Sequence, residues 1–245
     1  MELQILGVRI DNITLDEVTD KIRHFFQQDS QHQIVTVNPE FIMAAQNDEE
    51  FMNILNSADL SIADGVGLKY AARKYNHKLV QRITGVDLMM QILAIAAEEG
   101  KSIYLLGAKR GIAEQAAFKI LEKFPNIKVV GAESGYRHWH RRIKDAKLVE
   151  KINRKQPDIL FVAFGQVKQD KWIAHHLSKI TSVKVAMGVG GSFDYISGKV
   201  SRAPSIVRRM GLEWLFRLFR QPWRLPRIIT AVIRFSWAVL RQKNN

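Results

Sequence analysis

Short apolar runs alternate with longer segments of helical periodicity along most of this chain. Runs at 34–37, 60–63, 102–106, 128–130, 159–161 and 183–187 are nearly continuous in apolar residues, the pattern of strands buried on both faces. Segments 85–99, 112–124, 143–154 and 168–178 place apolar residues at three- and four-residue spacing and are long enough to be crossover helices. This alternation predicts an α/β fold: a Rossmann-like, mainly parallel sheet flanked by helices. There is no internal repeat and no low-complexity stretch.

The pattern changes near residue 199, which divides the chain into a body, 1–198, and a C-terminal helical basic appendage, 199–245. A helix over 206–220 would align Arg209, Glu213, Arg217 and Arg220 on one stripe and Val207, Met210, Trp214 and Leu218 on another. Pro222 and Pro226 interrupt it. A second segment repeats the design, with Arg227, Thr230, Arg234 and Arg241 opposite Ile228, Val232, Phe235 and Val239.

Charge sharpens this division. The formal net charge is +13, and from Ser201 onward ten basic residues face one acid, whereas the preceding 200 residues carry 27 bases and 23 acids. A basic tail on a near-neutral body implies an anionic partner, phospholipid or nucleic acid. One such helix would more often pack on the body; two, with six aromatics between them, favour an anionic membrane surface. The chain has no cysteine, which removes disulfides and thiolate chemistry and fits a reducing compartment. Its first residues lack the pattern of a signal peptide, and no apolar stretch approaches the roughly 20 residues of a spanning helix. The expectation is a cytoplasmic protein, peripheral on the inner face of the membrane.

Three strands run into glycine-containing loops and then helices, at 64–67, 107–111 and 188–191. Such loops lie at the carboxyl ends of strands, where ligands bind, and helix N-termini there favour phosphate. None matches the dinucleotide fingerprint or the P-loop, and each alone reads as a tight turn. Asp64 is a carboxylate on one of these loops, able either to reach a ligand as a base or to cap the helix that follows; spacing leaves the two roles even. Thr36 and Asn38 end an apolar strand and serve either a ligand or the turn before Pro39. Arg82 is a grip for phosphate or an ordinary surface charge.

These residues fall within a longer ordered set. Thr36-Val37-Asn38-Pro39-Glu40, Asp64-Gly65-Val66-Gly67, Arg82-Ile83-Thr84-Gly85-Val86-Asp87-Leu88, Leu106-Gly107-Ala108-Lys109, Gly135-Tyr136, Gly165 with Lys168-Gln169, Gly188-Val189-Gly190-Gly191-Ser192-Phe193-Asp194, Gly198-Lys199-Val200-Ser201-Arg202-Ala203-Pro204 and Gly211-Leu212-Glu213-Trp214-Leu215-Phe216-Arg217-Leu218 occur in that sequence. Together they resemble the WecG/TagA/CpsF glycosyltransferases over nearly the whole chain. The resemblance implies an inverting transfer of N-acetylmannosamine from a UDP-sugar donor to a polyprenyl-diphosphate-linked N-acetylglucosamine, in cell-envelope polysaccharide or teichoic acid synthesis. A close variant would use the uronate of that sugar or a neutral hexose.

The resemblance makes Asp64 the general base and assigns Thr36, Asn38, Arg82, Gly107, Tyr136, Gln169 and Gly190 to substrate binding. It supplies diphosphate-binding arginines from the appendage, with Arg202, Arg217, Arg224 and Arg227 as candidates. No Asp-x-Asp pair occurs to hold a divalent ion. No cofactor is expected, and arginine would stand in for metal. Val167 and Asp170 depart from the family's proline and glutamate around Gln169, leaving the rigidity of that loop in question. His138 and His140 lack nearby metal-ligand partners and read as an exposed basic loop. A nucleic-acid-binding protein is the rival class, disfavoured by the tail's large aliphatic faces; a nicotinamide oxidoreductase is disfavoured by the missing fingerprint. A homo-oligomer burying the tail's apolar faces fits the same pattern.

Overall fold

The computed structural model describes residues 2–134 and 142–242. The elements run β1 (Glu2–Ile5), β2 (Val8–Asp11), α1 (Leu15–Gln27), β3 (His32–Val37), α2 (Pro39–Ala45), α3 (Glu49–Ser57), β4 (Leu60–Ala63), α4 (Val66–Lys74), α5 (Gly85–Glu98), β5 (Ser102–Gly107), α6 (Ile112–Lys123), β6 (Lys128–Glu133), α7 (Arg142–Lys155), β7 (Ile159–Ala163), α8 (Lys168–His176), β8 (Val185–Gly188) and α9 (Ser192–Ile196). The tail adds α10 (Ser205–Arg209), α11 (Glu213–Arg220), α12 (Leu225–Ile229), one π-helical turn over Thr230–Arg234, and α13 (Phe235–Arg241).

The eight strands form one sheet in the order β1-β2-β4-β3-β8-β7-β5-β6. Every pairing is parallel except the β1–β2 hairpin at one edge. The α/β expectation therefore holds, with helices on both faces. Alternate residues of the central strands explain the two layers. Ile34, Ile103, Leu105, Ile159, Phe161 and Val185 pack under α1, α5 and α6 through Val18, Ile22, Leu88, Ile92, Ala116 and Ile120. Their neighbours Val35, Val37 and Ala63 pack on α2, α3 and α4, and Tyr104, Leu106, Leu160 and Ala186 on α7 and α8. Both sets of strand faces are apolar, which is why these strands read as continuous runs rather than alternating ones.

The edge hairpin escapes the apolar-run reading because β1 and β2 alternate, with Leu3, Ile5, Val8 and Ile10 buried. Its turn places both Leu6 and Gly7 at positive φ, the twist that a two-residue hairpin requires. The tail departs from the expected pair of long helices. The first breaks at Gly211, whose φ is +74 and whose Cα lies against Val66, so the 206–220 stripe is split between α10 and α11. The second runs on through the π turn into α13, but Phe235 and Val239 of its apolar stripe are fully buried in the body's core beside Phe41, Leu68 and Ala71. Tyr75 also donates from its hydroxyl to Gln242 Oε1 at 2.6 Å. No helix among the described residues is long and apolar enough to cross a membrane.

Candidate functional site

A cavity of about 1150 Å³ opens at the carboxyl ends of the strands, between the sheet and the tail. Its floor is built from the ends of β3 (Thr36, Asn38), β4 (Asp64), β7 (Ala163) and β8 (Gly188), with Ala108 just beyond β5. β3 and β8 meet where the two halves of the sheet join, the crevice in which ligands of open parallel sheets bind. Six basic residues (Arg82, Lys109, Arg110, Arg217, Arg224 and Arg227) and four acidic ones (Glu40, Asp64, Asp194 and Glu213) line it. The excess is positive, as an anionic ligand needs.

Asp64 leaves β4 with its backbone N–H donating to Val37 O at 2.7 Å. It does not cap α4: the N-cap is Gly65, at φ 122, and no side chain caps that helix. Instead Asp64 Oδ2 accepts from the Gly85 N–H at 3.1 Å, at the start of α5. Burial pushes the carboxyl up from the usual 3.8 to about 6; Glu213 adds to this, while the Gly85 N–H, Arg217 and Arg82 pull it down. No ion pair among the described residues engages it, so it is a carboxylate poised near neutrality on a cavity wall.

The Thr36 hydroxyl lies beside Gly85 and Asp64, where a Cβ on Gly85 would meet Oγ1 at 3.3 Å. Asn38 Oδ1 accepts from Phe41 N at 3.0 Å and caps α2, with Pro39 in its first turn, which leaves Nδ2 for a ligand. Asn38 thus serves both the turn and the cavity wall. Gln169 is buried and its Oε1 accepts from Gly190 N at 3.0 Å, holding the left-handed Gly190 loop. Arg82 lines the cavity while its Nη2 donates to Arg208 O at 3.2 Å, tying body to tail. Gly107 stands outside the lining residues: at φ +106, a Cβ there would lie 2.7 Å from Ala163 O, so its role is close packing below the loop. Tyr136 lies outside the described residues.

The four tail arginines divide. Arg217, Arg224 and Arg227 line the cavity, and Arg202 does not. The Arg202 guanidinium forks onto Asp87 at 2.6 and 2.7 Å and donates to Thr84 Oγ1 at 3.1 Å, pinning the start of the tail to α5. Burial pushes Asp87 up, but the bonds from Arg202 and Thr84 outweigh it and hold the carboxyl below its ordinary value. Arg227 bridges Glu40 Oε2 and Gln166 Oε1, each at 2.7 Å. Arg217 stacks over Tyr195 at 4.8 Å and pairs with Glu213 at 3.4 Å. Burial, then Arg217 and Arg227, depress Arg224, so this guanidinium is repelled by two others across a space that an anion would fill.

Sequence reasoning gave no role to Lys109, Arg110 or Asp194, which also line the cavity. Burial raises Asp194 against the pull of Lys109 and Arg224. Their signal was their place on the glycine loop 107–111 and in the helix just after the glycine loop 188–191. The two departures lie together: Val167 takes φ +68 in a three-residue turn closed by Lys168 N to Gln166 O at 2.8 Å, a strained conformation for a β-branched residue. Asp170 is fully buried under β8, and burial pushes its carboxyl up to about 7 against the pull of its own backbone N–H and the Gln169 side chain. Among the described residues, no group of three or more His, Cys, Asp or Glu is placed to hold a metal ion.

Comparison with known proteins agrees with this geometry. The model of the glycosyl transferase WecG/TagA/CpsF family matches residues 3–245. A Bacillus subtilis (strain 168) protein is 37% identical over 224 residues, 91% of this chain and 84% of its own length. A Staphylococcus aureus (strain MRSA252) protein is 33% identical over 244 residues, 99% of this chain and 93% of its own. Both relatives are named N-acetylglucosaminyldiphosphoundecaprenol N-acetyl-beta-D-mannosaminyltransferase.

Proposed function

The chain belongs to the WecG/TagA/CpsF family of glycosyltransferases, and from that footing we propose that it moves N-acetylmannosamine from UDP-N-acetylmannosamine to undecaprenyl-diphosphate-linked N-acetylglucosamine, with inversion to a β-1,4 linkage. Asp64 is the base: its carboxylate takes the proton of the acceptor hydroxyl as that oxygen bonds to the anomeric carbon. The bond from that carbon to the β-phosphate oxygen breaks, and UDP leaves with the electron pair. A base near pH 6 is mostly ionised at neutral pH yet still basic enough to accept a proton.

The observation that carries this reading is the pairing of that base with three arginines across one cavity, of which Arg224 is repelled by Arg217 and Arg227. Fixed guanidiniums stabilise the charge that develops on the departing diphosphate, the role a divalent ion plays in other transferases. Thr36, Asn38 Nδ2 and Gln169 serve the sugar and its acetamido group, and no metal is required.

The tail leaves Ile206, Met210, Phe219, Trp223, Ile229, Ile233, Trp237 and Leu240 bare among its arginines. An amphipathic surface of this kind seats a protein peripherally on an anionic bilayer, here the cytoplasmic face, in envelope polysaccharide or teichoic acid synthesis. Aliphatic bulk on that surface favours lipid over nucleic acid.

The test is a panel of UDP-sugars, including the N-acetylmannosaminuronate and hexose donors, against a short-chain lipid-diphosphate N-acetylglucosamine in EDTA. Transfer from UDP-N-acetylmannosamine that persists in EDTA and collapses in Asp64→Asn is the expected result. Strict dependence on a divalent ion, or full activity in the variant, overturns the mechanism.

A further inference from the structure

The cavity is larger than the roughly 300–1,000 Å³ typical of a single small-molecule site, and its wall changes character along its length. Around Asp64 it is polar and basic. Large apolar side chains also line it, each with a third or more of its surface bare: Val66 at 38%, Tyr70 at 44%, Trp214 at 37% and Val232 at 40%. Apolar surface held open inside a cavity is surface that a ligand's apolar part can cover.

The chain's periodicity arranges these side chains as a groove. Val66 and Tyr70 are four residues apart on α4, and so share the face that starts immediately after Asp64 and Gly65. α13 packs against α4, and the tail contributes Ile228, Ala231, Val232 and Ser236 to the same wall. Trp214 is brought in from α11 by the Gly211 break, which seats Gly211 on Val66. Along the tail, the lining residues run from Arg224 and Arg227 to Ile228, Ala231 and Val232, with the bare side chains of Ile229, Ile233 and Trp237 flanking them. The order from cation cluster to apolar wall to exposed apolar surface matches a diphosphate joined to a hydrocarbon chain that leads out of the protein.

We infer that the groove between α4 and the 228–236 segment of the tail is a subsite for the first isoprene units of the polyprenyl diphosphate acceptor. This rests on the acceptor proposed above. Its hydrocarbon enters past Tyr70 and Val232, and its own diphosphate meets Arg227 next to Ile228, leaving Arg217 and Arg224 to the donor's diphosphate, which delivers the sugar hydroxyl to Asp64. The occupant is a single prenyl chain rather than a bilayer phospholipid, because the groove is continuous with the cavity that holds Asp64.

Binding separates this inference from the transfer reaction. Dissociation constants of geranyl, farnesyl and geranylgeranyl diphosphate, measured by calorimetry with the full chain below their micellar concentrations, should tighten roughly tenfold from the shortest to the longest. In Val232→Asp and Tyr70→Asp the dependence on chain length should flatten to within about twofold. Ala231→Phe, which fills the groove without adding charge, should flatten it too and covers the case in which an aspartate variant misfolds. Single-chain oleoyl lysophosphatidate should bind at least about tenfold more weakly than geranylgeranyl diphosphate. Affinity independent of chain length in the unmodified protein, an unchanged dependence in Ala231→Phe, or equal binding of the lysophospholipid overturns the subsite. None of these readouts needs a donor sugar, so a failed donor panel leaves the subsite standing and a failed chain-length series leaves the transferase reading standing.

Discussion

Replacing Asp64 by Asn should stabilise the protein while disabling it. Asparagine keeps the volume of the side chain and an oxygen to accept from the Gly85 N–H, now 3.1 Å from Asp64 Oδ2, and removes only the charge. Burial raises this carboxyl from the usual 3.8 to about 6, so the folded state disfavours the ionised form by about 3 kcal/mol at most. Part of the side chain remains open to the cavity, which lowers the expected gain to about 1–3 kcal/mol, or roughly 2–10 °C in Tm for a chain of this size.

The pH dependence fixes the cause. A carboxylate whose folded pKa lies above its unfolded value destabilises the fold fully above about pH 6, and the penalty disappears as pH falls towards 3.8. Thermal melts of the two proteins should therefore differ most at pH 8 and converge near pH 4. In parallel, kcat/KM of the unmodified enzyme should fall on an acid limb near pH 6, and Asp64→Asn should lose about 10²–10⁴-fold in kcat with little change in donor KM. A variant no more stable at pH 8, or equally stabilised at pH 8 and pH 4, refutes the claim that Asp64 is a buried charge held at a cost for catalysis.

Two further perturbations probe the tail. Arg224→Ala should lower kcat by about 10²–10³-fold in EDTA without lowering Tm, because Arg217 and Arg227 already repel this guanidinium in the absence of ligand; Arg224→Lys should restore little, lacking paired donors. A parallel loss of Tm would show that Arg224 is structural. Phe235→Ala should cost about 3–5 kcal/mol, read by denaturant unfolding, since a fully buried ring is removed from the core beside Gly67, Phe41 and Leu68. A change of less than about 1 kcal/mol would mean that α13 is not part of the folded core.

The central sheet was legible because its strands are buried on both faces and therefore contiguous in apolar residues, from Ile34 to Val37 and from Ile159 to Ala163. The β1–β2 hairpin was not, because an edge pair buries alternate residues and its signal is a four-residue alternation around Leu6-Gly7. Asp64 was legible as a carboxylate on a glycine loop, but local pattern could not choose between base and cap. That choice depends on Gly85, 21 residues away, which offers its N–H to Asp64 Oδ2, while the cap falls to Gly65. Arg202 and Arg217 look alike in sequence. Only the fold shows that Asp87 engages the first on α5 and that the second faces the cavity over Tyr195. The buried state of Asp170 was equally hidden, since nothing local distinguishes an acid on the open face of α8 from one beneath β8.

The tail's charge pattern suggested one basic appendage set against the body, and the packing divides it in three. Its start is clamped by the Arg202–Asp87 fork, and its end is built into the core through Phe235 and Val239. Between these fixed points, residues 204–229 bury no side chain, yet they carry Arg217, Arg224 and Arg227 and the Trp214 side of the groove. A segment held at both ends can rearrange without leaving the site, so binding free energy from an anionic ligand need order only this strap rather than recruit a free tail. The arginines and Asp64 are linked mechanically as well as electrostatically. Gly211 of the strap rests on Val66, two residues after Asp64, so displacement of the strap must disturb the loop that holds the base.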